Sequence, residues 1–173
     1  MLEVCSTTLP QIIFPEIVRA PEYHDFFQAR IEKYRKRRDQ ALAIFAKTKY
    51  LKPLCPEGVF YLTVPFAPEA TLRRGEEPKA KGGSVPIFQP TRKLESKTKE
   101  IRLYLDSVET PDMRLDKLFA YELMGSEGVC VVPLSGFYSP IDGFRMTLLE
   151  EDEELFLETC ERIVKGVEGF FSK

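Results

Sequence analysis

The sequence contains no tryptophan, a single histidine and only four cysteines, and these scarcities exclude several classes of protein. The cysteines form no C-x-x-C pair, and together with His24 they lack the spacing of a zinc site. No uninterrupted apolar run approaches the roughly 20 residues of a membrane-spanning helix, and no basic and apolar leader opens the chain. We therefore predict no membrane association and no bound metal, and scattered thiols favour the reducing cytoplasm.

An excess of charge of either sign is also missing. There are 25 Lys and Arg against 27 Asp and Glu, so the formal net charge is -2. Nucleic acid is an unexpected partner for a chain that is not basic overall. Hydrophobic residues make up 43% of the 173 residues, which is typical of a globular protein with one domain, or one domain and a piece of another.

The pattern of apolar residues predicts an α+β fold, in which a small, mostly antiparallel sheet is covered by helices on one face. Helical spacing is predicted for residues 21–51, for about 111–125 and for the segment after Glu150. Strands are predicted at 58–64, 101–106, 129–132 and 144–149. Residues 66–110 collect Pro, Gly and charged residues, which is typical of a long exposed insertion.

Most motifs that suggest chemistry have a simpler explanation. The basic run 33–38 lies in the predicted long helix and is interpreted as a solvated face, and the cations of the insertion as a charged loop. His24 beside Asp25 has no further support as a general base. Cys5 and the hydroxyl residues after it have no base within sequence reach, so covalent catalysis is not predicted there.

Arg145 is the strongest candidate for a functional residue. It interrupts the apolar strand 144–149 directly after a loop that contains Ser135, Gly136, Phe137 and Tyr138. Its face of the strand is only weakly polar, so we expect the guanidinium to be partly covered and to need an anionic partner. No Asp or Glu in the sequence is an obvious partner, which leaves a structural role and the bidentate recognition of a ligand carboxylate equally open.

Several spaced motifs occur in a characteristic order. They are Gly58-Val59-Phe60-Tyr61-Leu62, Gly128-Val129-Cys130-Val131-Val132-Pro133, Ser135-Gly136-Phe137 and Gly143-Phe144-Arg145-Met146-Thr147-Leu148-Leu149, followed by a helix with an acidic start. This order resembles the C-terminal part of fold-type I, class I/II aminotransferases, which use pyridoxal 5'-phosphate. The resemblance covers most of residues 1–65 and 110–173, and the segments Leu2–Gln11 and Pro111-Asp112-Met113 are similar to the alanine aminotransferase-like branch.

The resemblance implies a substrate-binding role for Arg145, because in that family the arginine of this strand pairs bidentately with the α-carboxylate of an amino acid or 2-oxo acid. The loop 133–142, with Ser135, Gly136, Phe137 and Tyr138, would line the entrance. Residues 1–20 would be the tail of a large cofactor domain, residues 21–51 the linking helix, and residues 52–173 the small domain. The parent enzyme would be a homodimer.

This chain departs from the family in two respects. The family's Schiff-base lysine and cofactor-holding residues would precede the first residue here, and Ser96-Lys97-Thr98 copies the lysine motif only by coincidence. The insertion at about 66–110 is also longer than usual. We therefore expect a C-terminal part of an aminotransferase that is inactive alone. Two rivals are a non-catalytic binding module, whose basic insertion holds a partner or nucleic acid, and a pseudo-enzyme that uses Arg145 as an anion sensor.

Overall fold

A computed structural model of the chain describes residues 8–68, Leu103, Ser107 and residues 113–172. In chain order these residues form helices α1 (Thr8–Arg19) and α2 (Tyr23–Phe45), strand β1 (Tyr61–Pro65), helix α3 (Leu115–Glu127), strand β2 (Val132–Pro133), a short 3-10 helix (Leu134–Phe137), strand β3 (Gly143–Thr147) and helix α4 (Glu153–Phe171). The predicted α+β class is confirmed. Most of the predicted insertion at about 66–110, with most of the predicted strand 101–106, lies outside the described residues. Leu103, which was predicted in that strand, is helical.

The chain divides into two units, residues 1–36 and residues 37–173. The first unit holds α1 and the beginning of α2, and no residue of α1 is buried. Pro15 lies inside α1, where it removes one backbone hydrogen bond, yet the helix continues to Arg19. The assignment of residues 1–20 to a cofactor-domain tail stays a prediction.

In the second unit the three strands form one antiparallel sheet in the order β1-β3-β2. The register pairs Val64 with Phe144 and Leu62 with Met146, and these residues share one face because side chains alternate along a strand. Leu62, Val64 and Phe144 are fully buried, so this face is the covered one. The opposite face carries Arg145.

Phenylalanine side chains dominate the core behind the covered face. Phe119 of α3 stacks on Phe144 with ring centroids 5.8 Å apart, and it meets Phe170 of α4 edge-on at 5.4 Å. Phe66, just after β1, makes a second edge-on contact with Phe119 at 5.2 Å. Such aromatic pairs stabilise the core beyond the apolar area that they bury. They join the sheet to both C-terminal helices.

Capping residues explain where α3 ends and where α4 begins. Gly128, with a φ of 70°, forms the left-handed cap of α3, and its N–H is bonded to Met124. Gly125, at the end of the helix predicted for about 111–125, is instead buried inside α3, which continues to Glu127. At the start of α4 the Asp152 carboxylate accepts hydrogen bonds from the N–H groups of Glu154 and Leu155, at 2.9 and 3.0 Å.

Two side chains differ from the environments that the sequence pattern favours. Arg37, expected on a solvated face, is only 3% exposed and donates to the carbonyls of Leu148 at 2.9 Å and Glu151 at 3.0 Å. Cys130 is exposed, and of the predicted strand 129–132 only Val132 pairs with β3. Cys160 is buried as expected, and burial raises the pKa of its thiol to about 12.

No helix in the described part of the chain is long and apolar enough to cross a membrane. Nor do three or more histidine, cysteine or acidic side chains gather in a possible metal site among residues 8–68 and 113–172.

Candidate functional site

Arg145 lies in the middle of the sheet, on the face opposite the aromatic core. It belongs to the central strand β3 and is flanked by Thr63 of β1 and Val132 of β2. The side chain is half-buried. Within the described residues Arg145 has neither an ion pair nor a hydrogen bond to a carboxylate. A guanidinium in this position keeps its in-plane N–H donors for another acceptor.

Two aromatic rings cover the Arg145 guanidinium. Its central carbon lies 4.2 Å from the centre of the Tyr61 ring and 3.9 Å from that of the Phe137 ring. No ring contact joins Tyr61 and Phe137 in the described structure, so two rings this close to one carbon must approach it from different sides. Tyr61 is the diagonal neighbour of Arg145 across the β1–β3 pair, a position that long side chains reach easily.

The loop that carries Phe137 is fixed at its beginning by Asp116. This aspartate lies in the first turn of α3 and is fully buried. Its carboxylate accepts hydrogen bonds from the backbone N–H and the hydroxyl of Ser135, each at 2.7 Å. A buried carboxylate is strongly stabilised by such donors, so the 3-10 helix that ends at Phe137 is held in one place.

The same loop is fixed at its end by Arg114, the residue before α3. Its Nη2 and Nε donate to one oxygen of the Asp142 carboxylate at 2.6 and 3.0 Å, and its Nη1 donates to the carbonyl of Ser139 at 3.0 Å. Burial nevertheless raises the pKa of the Asp142 carboxyl above its usual 3.8, because the loss of hydration outweighs the attraction of Arg114.

The predicted loop residues therefore have different environments. Phe137 contacts Arg145, whereas the Ser135 hydroxyl is occupied by Asp116. Gly136 is exposed beside them. Tyr138 is 99% exposed and adopts a left-handed backbone with a φ of 57°, which is uncommon for a residue other than glycine. Only one of the four predicted loop residues thus touches the arginine.

A cleft of about 300 Å³ opens beside Arg145. The segment 129–132, strand β3 and helix α4 form its walls. Among the described residues Arg145 is the one cation in its lining, and the other polar or amphipathic side chains there include Tyr61, Thr147, Glu150 and Thr159. A ligand that reached the guanidinium from this side would meet both apolar and polar surface.

Sequence reasoning missed Arg114 and Asp116. Asp116 resembles any acidic residue in the first turn of a helix, where it favours the helix dipole. Arg114 is one cation among many. The sequence contained one hint, a loop serine, Ser135, whose hydroxyl needs a hydrogen-bond partner. The order of residues along the chain does not show which carboxylate accepts that hydrogen bond.

The described site is suited to binding an anion. Arg145 offers a planar set of donors, and the lining of the cleft contains neither a histidine nor a lysine that would act as a base or a nucleophile. His24 is exposed in the first unit.

No protein-family model matches the chain. The chain is 30% identical over 173 residues to an uncharacterized aminotransferase of the archaeon Methanocaldococcus jannaschii. The match covers 98% of this chain but 35% of that protein, so the chain spans about a third of the length of this relative.

Proposed function

We propose that this chain is the substrate-binding part of a pyridoxal-phosphate-dependent aminotransferase, and that Arg145 binds the substrate carboxylate. The observation that carries the proposal is a half-buried arginine on the central strand with no acidic partner among the described residues. The match to a protein named as an aminotransferase, along nearly the whole of this chain, supports the same function.

The chemistry of transamination requires a group of this kind. Both substrates, the amino acid and the 2-oxo acid, carry an α-carboxylate, so one arginine serves both halves of the reaction. A planar guanidinium donates two parallel N–H···O bonds to a carboxylate, which fixes the orientation of the substrate as well as its position. Arg145 would thus orient the α-carbon, and displacement of water by the substrate would strengthen the pair.

The residues around Arg145 do not fit pyridoxal 5'-phosphate as a complete site. The cleft beside Arg145 holds one cation and no lysine, whereas the cofactor needs a phosphate-binding group and a lysine for its Schiff base. When bound, this cofactor stabilises negative charge on the substrate α-carbon. In our proposal its ligands belong to another part of a longer parent protein, and the chain alone does not transaminate.

The finer assignments belong to the same proposal. We infer a homodimeric parent enzyme in the cytoplasm, with a specificity similar to the alanine aminotransferase-like branch.

The test compares two conservative substitutions in the parent aminotransferase. Arg145→Lys removes the planar donors but keeps the charge, so we expect kcat/KM for amino donors with 2-oxoglutarate to fall by roughly 100-fold or more. Arg162→Lys is the matched control, because Arg162 is exposed and pairs with Glu158 on the surface of α4. It should leave turnover unchanged.

Equal turnover of the Arg145→Lys variant and the wild type would contradict the proposal. If the natural protein has no transaminase activity but binds a partner through residues 66–110, the binding-module alternative replaces it.

A further inference from the structure

The two rings around Arg145 come from parts of the chain that are far apart in sequence. Tyr61 is the first residue of β1, and Phe137 is the last residue of the 3-10 helix. A guanidinium covered from two sides is restricted in its rotation, since either ring would collide with a tilted plane. Aromatic rings against a guanidinium shield its faces from water, whereas N–H donors in its plane remain able to bond an acceptor at the edge.

The position of Phe137 is set from outside the sheet. Ser135, two residues earlier, is held by the buried Asp116, and the N–H of Tyr138 closes the turn on the carbonyl of Ser135 at 3.1 Å. Phe137 therefore lies between two fixed residues, although its own side chain is 45% exposed. A half-exposed ring on a fixed backbone adds little to the core, so its main contact of note is the one with Arg145.

We propose that Tyr61 and Phe137 are positioning residues that orient Arg145 so that its edge meets a ligand carboxylate. This inference rests on the proposed function of Arg145. The rings reduce the rotamer freedom that a long side chain loses when it binds, and they weaken competition from water for the guanidinium. The bound carboxylate then gains affinity from a donor set that is already in place.

The test uses the full 173-residue chain and follows the Nε–H group of Arg145 by NMR, with pyruvate as the carboxylate probe. In the free protein, ring currents from Tyr61 and Phe137 should shift the Arg145 side-chain protons upfield. In Phe137→Leu we expect a large part of this shift to disappear, and the affinity for pyruvate to fall by roughly tenfold. Phe137→Tyr, which keeps the ring, should restore both.

Phe26→Leu is the matched control. The central carbon of the Arg30 guanidinium lies 5.3 Å from the centre of the exposed Phe26 ring on α2. This variant therefore removes a similar contact between a ring and an arginine, but at a different arginine. It should change neither the Arg145 signals nor the affinity. Because Phe137 is half-exposed, Phe137→Leu should stay folded and keep the dispersed amide NMR spectrum of the wild type. A loss of affinity would then come from a misplaced Arg145 side chain and not from unfolding.

Two failures are distinguishable. If the wild type binds pyruvate at Arg145 and Phe137→Leu binds it equally well, the positioning role is overturned while the carboxylate function stands. If pyruvate causes no change at Arg145 in the wild type, the carboxylate function itself fails, and the positioning role fails with it.

Discussion

Both units of the chain contain helices with an apolar face, which is exposed in the first unit and buried in the second. In residues 8–36 the large apolar side chains are exposed: Leu9, Ile12, Ile13, Phe14, Ile17, Val18, Phe26 and Phe27. In α4 of the second unit the apolar residues recur at the same helical spacing and are buried: Phe156, Cys160, Ile163, Val167 and Phe170. The α2 helix extends into both units, and its four buried residues all lie at or after Arg37.

The difference shows that helical periodicity indicates which face is apolar, but not whether a partner covers it. A helix gains most of its stability in a protein from packing of its apolar face. The α4 helix has such packing against α3 and the sheet. The exposed apolar surface of α1 is the kind that marks an interaction site in other proteins. Identical substitutions in the two units should therefore lower the free energy of unfolding by different amounts.

The largest expected effect is that of Phe144→Ala. Phe144 is fully buried and contacts the rings of Phe45 and Phe119, so truncation should lower the free energy of unfolding by about 3–5 kcal/mol. The matched change in the first unit is Phe14→Ala, where the side chain is 61% exposed, and we expect an effect within about 0.5 kcal/mol. Urea denaturation followed by circular dichroism measures both.

Equal costs of the two changes would break the comparison. A large loss for Phe14→Ala would mean that another copy or partner covers α1 in solution, and dilution of the sample would then reduce the difference from wild type.

The next effect concerns the backbone of the second unit. A Cβ atom at Gly143 would lie 2.5 Å from the carbonyl oxygen of Val64 and 2.7 Å from the Cα of Pro65, so β1 and β3 would have to separate. We expect Gly143→Ala to lower the free energy of unfolding by about 1–3 kcal/mol. Gly58→Ala, which meets nothing within 4 Å, is the control for thermal denaturation. A wild-type Tm for both variants would contradict the close approach of the strands.

A smaller effect is expected at the start of α4. Asp152→Ala removes the acceptor for two N–H groups, which should lower the free energy of unfolding by about 1 kcal/mol. Asp25→Ala, in the exposed first turn of α2, removes an acidic residue from the first unit and should cost less than about 0.5 kcal/mol. If the first unit were the better packed one, Asp25→Ala would lower the free energy of unfolding more than Asp152→Ala. Chemical denaturation of both variants decides this.

The smallest effect is a pH dependence. Burial raises the pKa of Asp142 above 3.8, so the folded state holds this proton more tightly than the unfolded state. The contribution of Asp142 to stability is therefore fully present below about pH 3.8 and decreases as the pH rises through the folded pKa. We expect the difference in unfolding free energy between the wild type and Asp142→Asn to decrease in the same direction. A difference that grows with pH would show that Arg114 outweighs burial.

The fold could be predicted where periodicity and composition agree. The spacing of Phe156, Cys160 and Ile163 indicated the buried face of α4 correctly, because this helix has a single covered side. The segment 129–132 looked like a full strand because it is apolar, yet Val129 and Val131 are buried without pairing to β3. Apolar sequence predicts burial, whereas hydrogen-bond pairing depends on a neighbour that the sequence does not identify.

The candidate site was predictable only in part. Arg145 stood out because a charge in an apolar strand needs an explanation. The two rings that contact Arg145 were not predictable. Nothing in the sequence distinguishes Tyr61 and Phe137 from other aromatic residues, and only the register of β1 and the 3-10 helix bring them next to Arg145. Arg37 shows the opposite error: five neighbouring charges looked alike in the sequence, and the structure buries only this one.

Arg37 also ties the long helix to the strand of the candidate site. Its two hydrogen bonds go to the carbonyls of Leu148 and Glu151, which follow β3 within a few residues of Arg145. Arg37 thus binds backbone carbonyls that follow β3, whereas Arg145, on β3 itself, has no carboxylate partner among the described residues. Movement of α2 at Arg37 would displace the end of β3, so a change in the long helix would be transmitted to the strand that carries Arg145.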